Sequence, residues 1–168
     1  MRPIEDEVYA RPLRILHWTI LGLVLIQVLS SDAMEDFFRT VEDTGGGFPD
    51  RPGAVLHALS GASILILMLT RFVLRMRLGT PPPPRDLSPA LQALSRANHY
   101  AFYVALVLLP LTGVSALLID TELGDVHSFL VPVLLVLIGL HVAGVAYHML
   151  FKRDGVLWRM LRLGRPAR

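Results

Sequence analysis

Four long apolar runs alternate with polar connections along the chain. Leu13 to about Ser31 reads LRILHWTILGLVLIQVLSS, Ala54 to Leu74 forms the second run, about Ala97 to Ile119 the third, and Val126 to Phe151 the fourth. Each approaches or exceeds the roughly 20 residues that a helix needs to cross about 30 Å of hydrocarbon. The pattern predicts an all-α fold, an integral membrane four-helix bundle, with residues 1–168 as a single multi-pass domain in contact with membrane lipid. Asp32 to Gly53 reads as a polar connection, with GGGFPDRPG supplying turn residues. Thr80 and the four prolines Pro81 to Pro84 read as a stiff extended connector. A short amphipathic piece after Ser88-Pro89 leads into the third run, Pro110 predicts a kink within it, and Thr121 to Asp125 reads as a tight acidic turn.

The polar interruptions of these runs are dominated by histidine. In the fourth run His127, His141 and His148 are spaced by 14 and 7 residues. At 100° per residue those spacings return each to within about 40° of one helix face. An imidazole in hydrocarbon is costly, and for a single one a hydrogen bond to a neighbouring helix accounts for it as well as ligation does. Three on one face, with His127 and His141 about 21 Å apart along the axis, fit two cofactors stacked through the membrane. His17 lies one turn inside the first run beside Trp18, which reads as an interfacial anchor. His57 opens the second run with Gly61 four residues on, where either a flat ring or a packed helix could approach. His99 opens the third, so all six histidines fall on the predicted spans.

Composition narrows the chemistry. A chain of 168 residues that is 53% hydrophobic and 18% charged is too apolar for an ordinary soluble domain. With no cysteine, thiolate-held iron–sulfur clusters and covalently attached c-type haem are excluded, and histidine must hold any metal. Two imidazoles from different helices can grip a haem without a covalent link, which means haem b. Asp and Glu are absent from the run interiors, which disfavours a hydrolase triad and a zinc or copper transporter. The acidic start, MRPIEDEVYARPLRILHW, lacks a small-residue cleavage site and does not read as a removable signal peptide. Lys and Arg number 3 at the N-terminus counted through Arg14, 5 around the second connection from Arg71 to Arg96 and 6 after the fourth run, against 2 and none in the other two connections. The positive-inside rule then puts both termini in the cytoplasm and agrees with four crossings. It also explains the basic residues without nucleic acid. The two outer connections hold two basic and nine acidic residues, a net charge of −7.

RILHW in the first run, LHALSGASILILMLTRFVLR in the second, HYAFYVALVLLPLTG in the third and GLHVAGVAYHMLFKRDGVLWRM in the fourth together resemble the bacterial cytochrome b561 family. These are di-haem, quinone-linked proteins of the bacterial inner membrane, related to cytochrome b subunits of hydrogenases and formate dehydrogenases. The resemblance covers nearly the whole chain and is most specific in the fourth run with its Lys-Arg-Asp-Gly sequel. It implies two haem b groups, an outer one between His57 and His127 and an inner one between His17 and His141. Counting residues from the span ends instead matches His17 in depth to His148. On the family assignment His148, His99 and Arg14, at similar inner depth, remain for a possible quinone site. The best-characterised activity of the family implies superoxide:ubiquinone oxidoreductase, with ubiquinone as acceptor and superoxide or another periplasmic electron donor outside. The acidic outer loops favour a basic donor over an anion. A membrane-anchor subunit of a hydrogenase- or dehydrogenase-type complex is the other role the resemblance allows.

Overall fold

The computed structural model describes residues 9–44, 49–82, 87–119 and 121–161, with side chains omitted for 41–44. Four long helices, α1 (Arg11–Leu29), α3 (Pro52–Leu78), α4 (Pro89–Leu118) and α5 (Leu123–Tyr147), are apolar enough to cross a membrane. A shorter helix α2 (Ser31–Thr44) follows α1. A single π-helical turn, His148–Lys152, and helix α6 (Val156–Leu161) follow α5. No strand occurs among the described residues.

The helix starts follow from local chemistry. Pro12, Pro52 and Pro89 stand in the first turns of α1, α3 and α4, where a missing N–H costs nothing and φ is already helical. Ser88 caps α4 by accepting the Leu91 N–H at 3.4 Å. With no breaker between Ala90 and His99, the short amphipathic piece and the third apolar run form one continuous helix from Pro89. Gly79, at φ 71°, ends α3 four residues beyond the expected Leu74. Pro83 and Pro84 of the proline connector, and Gly45 to Phe48 of the first connection, lie outside the described residues.

The first connection also differs from the expected polar loop. Ala33, Met34, Phe37 and Phe38 recur at helical spacing among acidic residues, and α2 buries Phe37 while Asp32, Glu35 and Asp36 stay exposed. The helix lies on α3, where Gly53 permits contact: a Cβ built on Gly53 would stand 2.6 Å from the Ala33 Cβ.

The spans pack in the order α1 on α3, α3 on α4 and α4 on α5. Their core is Ile20 and Val24 of α1, Ile64 and Met68 of α3, Ala105, Leu106 and Leu109 of α4 and Leu134 of α5. Large apolar side chains such as Leu25, Leu59, Ile66, Phe129 and Val136 face outward, as they should on a surface solvated by lipid. The fourth span is the least buried of the four, and Leu134 is the one buried side chain of α5. At the end opposite α2 the Trp18 indole N–H donates to the Met160 carbonyl at 3.1 Å, tying α6 to α1.

Gly53→Ala is expected to lift α2 from α3, with an overpacking cost of about 1–3 kcal/mol. Hydrogen exchange should quicken in α2 while the four spans keep their protection, and Ala33→Gly in the same chain should restore it.

Candidate haem sites

Two pairs of imidazoles face one another across helices. At the α2 end the rings of His57 (α3) and His127 (α5) have centres 6.3 Å apart, with an interplanar angle of 63°. Toward the α6 end His17 (α1) and His141 (α5) are 6.2 Å apart at 57°. A metal–imidazole bond of about 2 Å, and roughly 1 Å more from ring nitrogen to ring centre, puts two imidazoles on opposite sides of one metal about 6 Å apart. Both pairs fit a haem iron with two axial histidines. Among the described residues no three His, Asp or Glu side chains converge on one point. The histidines thus offer two-point ligation, which suits a metal whose remaining ligands come with its macrocycle.

The α2-end pair is oriented by its surroundings. The Ser30 hydroxyl donates to the Ile26 carbonyl at 2.7 Å, so at 3.2 Å it accepts from His57 Nδ1. The His127 Nδ1 donates to the Leu109 carbonyl at 2.8 Å. Both rings therefore carry their proton on Nδ1 and leave Nε2 with a lone pair, the form a metal requires. Gln27, which the hydropathy pattern marks only as an interruption, donates to the His57 carbonyl at 2.7 Å and to the Ser60 hydroxyl at 2.6 Å. Gly61 faces that same glutamine: an added Cβ would lie 3.6 Å from its amide, an ordinary contact distance.

The LPLTG stretch acquires a specific role. Leu109 supplies the carbonyl for His127, and the Thr112 hydroxyl, itself donating to Leu108 and Leu109 at 2.9 Å, lies 3.4 Å from His127 Nδ1. A Cβ on Gly113 would stand 3.2 Å from His127 Nδ1 and 3.3 Å from Cε1. Glycine thus lets the imidazole rest against the α4 backbone. Pro110 sits inside an uninterrupted helix between these groups.

The remaining sequence candidates separate. Of the two possible partners for His17, the structure sets His141 opposite it. His148 instead begins the π-helical turn, and its Nδ1 lies 2.5 Å from Asp154 Oδ2. The other Asp154 oxygen accepts the Val156 N–H at 3.2 Å, so one carboxylate holds both His148 and the start of α6. Arg153, at φ 51°, and Gly155, at φ 73°, take the left-handed conformations that reverse the chain there. His99 bonds the Ser95 carbonyl through Nδ1 at 2.7 Å and lays its ring 5.4 Å from that of His141; Phe102 packs on the same ring at 5.6 Å. Arg14 is buried, 4% exposed, just below His17. From α3 the Arg71 guanidinium donates to the Leu13 carbonyl.

A membrane helix bundle with imidazoles paired across its helices is the framework of a b-type cytochrome. The chain belongs to the prokaryotic cytochrome b561 family, whose model matches residues 8–163. It is thus a bacterial membrane protein of electron transfer, of a class that carries haem b. It is similar to the probable superoxide oxidase CybB of Yersinia pestis, at 27% identity over 87% of this chain and 91% of that protein. It is also similar to cytochrome b562 of Cereibacter sphaeroides, at 28% identity over 94% of this chain and 98% of that protein.

Gly113→Ala is expected to push the His127 ring away from Leu109 and loosen the α2-end site. Haem there should dissociate at least tenfold faster from the variant, followed by transfer to apomyoglobin, with the His17–His141 site unaffected.

Proposed function

We propose that this chain is a di-haem b protein of the bacterial inner membrane, with both termini cytoplasmic, that oxidises superoxide and reduces ubiquinone. The observation that carries the reading is the two facing pairs, His57 with His127 and His17 with His141, at separations that suit axial ligation at two depths. The likeness to CybB supports superoxide as the donor. In the overall reaction two superoxide anions each lose one electron to become dioxygen, and ubiquinone takes up two electrons and two protons to become ubiquinol. Haem b, when bound, supplies one-electron iron chemistry at each depth.

The residues have distinct tasks in this scheme. Ser30 and the Leu109 carbonyl keep the Nδ1 protons of His57 and His127 occupied, so that Nε2 is presented to the metal. The apolar core between the two layers excludes water from the path. On the cytoplasmic side His148, with Nδ1 committed to Asp154, presents Nε2 for proton exchange with a quinone oxygen. His99 lies against His141 of the inner pair.

The purified protein should contain two low-spin b haems per chain by pyridine haemochrome; His57→Ala should remove one and leave the other, and a wild-type content of one would overturn the assignment.

A second reading rests on the exposed acids of α2, Asp32, Glu35 and Asp36, which repel an anion and attract a basic protein. Superoxide should reduce the haems and added ubiquinone reoxidise them. His148→Leu should keep both haem spectra and slow reoxidation about tenfold or more, and loss of a haem in that variant would make His148 a ligand. Should superoxide leave the haems oxidised while a reduced basic cytochrome c reduces them, the donor is a protein. A stoichiometric flavin or metal subunit retained from native membranes would mark an anchor.

A further inference from the structure

The turn of α1 below His17 presents an unmatched charge. Arg14 is 4% exposed, and neither Nε nor Nη1 has a hydrogen-bond partner among the described residues. A guanidinium desolvated to this degree normally faces a carboxylate or phosphate, because buried unpaired donors and an uncompensated charge are both strongly unfavourable. The described protein residues offer no such partner. Asp154 is the one described carboxylate at this end of the bundle, and its two oxygens already serve His148 and the Val156 N–H. A second cation, Arg71, is fixed beside the same turn by its bond to the Leu13 carbonyl.

Arg14 precedes His17 by three residues, so the two share a helix face, with Arg14 about 4.5 Å nearer the α6 end along the axis. The group implied for the His17–His141 pair carries two carboxylates on one edge of its ring. A dicarboxylate edge turned toward the near membrane face would meet Arg14 directly, and the planar fork of a guanidinium matches it. A quinone head group has neutral oxygens and would leave the charge uncompensated, which separates Arg14 from His148.

We infer that Arg14 is the cationic seat for the carboxylates of the haem held between His17 and His141. The inference rests on that pair being haem ligands. The test is a redox titration of Arg14→Gln, Arg14→Lys and wild type, each as the full chain and each also reconstituted with haem b dimethyl ester, whose carboxylates are masked. With native haem, Arg14→Gln should lower the midpoint potential of the His17–His141 haem, since removing a nearby positive charge disfavours the reduced form. The His57–His127 haem should not shift, and Arg14→Lys should keep the wild-type value more nearly. With the dimethyl ester, the difference between wild type and Arg14→Gln should largely vanish. An unchanged potential in Arg14→Gln, or a shift of equal size with the ester, overturns the role. Retention of both haems in His17→Ala would instead overturn the ligand assignment beneath it.

Discussion

Inside a bilayer a polar side chain has only the partners its own protein brings, and each imidazole of this bundle has two nitrogens to satisfy. The solution at the α2 end is systematic. One nitrogen is tied to a neighbouring helix, through Ser30 for His57 and the Leu109 carbonyl for His127, and the other is left with its lone pair. The helix order follows from that requirement. α4 must lie against α5 for Leu109 to reach His127, and the α1–α2 corner must lie over α3 for Ser30 to reach His57. The close approach at Gly113 and the glutamine at position 27 are secondary to the same demand.

Hydrogen bonding also distinguishes histidines that sequence spacing makes equivalent. His127, His141 and His148 recur on one face of an ideal helix, yet His141 faces His17 while His148, where the π-helical turn begins, has its Nδ1 tied to Asp154. Counting residues from span ends treats depth as the only coordinate. Partner choice depends as well on where a following segment folds back, and here the left-handed residues Arg153 and Gly155 aim α6 at Trp18.

Much of the architecture could be read from the chain, because a span is a long uniform signal and an imidazole within it is conspicuous. α2 could not: its Ala33, Met34, Phe37 and Phe38 are diluted by acids, and a hydropathy reading sees only polarity. The extension of α4 back to Pro89 was hidden because Arg96 and Asn98 break the apolar pattern without breaking a helix. Ser30, Thr112 and the Leu109 carbonyl were invisible as members of a site, since serine and threonine are ordinary in membrane helices and a backbone oxygen has no letter in the sequence. Gly113 could be suspected only from its place in LPLTG. The orphaned donors of Arg14 appear only when burial and the commitments of Asp154 are known together.

The apolar core of Ile64, Met68, Leu106, Leu109 and Leu134 lies between the two histidine layers and is as insulating as the surrounding lipid. Fourteen residues of α5 separate His127 from His141, about 21 Å of a hydrocarbon thickness near 30 Å. Any charge passing between the layers therefore falls through about two-thirds of the membrane voltage. At about 2.3 kcal/mol per charge per 100 mV, that is roughly 1.6 kcal/mol, or about tenfold in an equilibrium constant. With the cytoplasm negative, an electron moving inward climbs this gradient and one moving outward descends it. On the proposed di-haem reading, the spacing of two imidazoles on one helix would make electron transfer between the layers electrogenic and couple its poise to the energisation of the membrane.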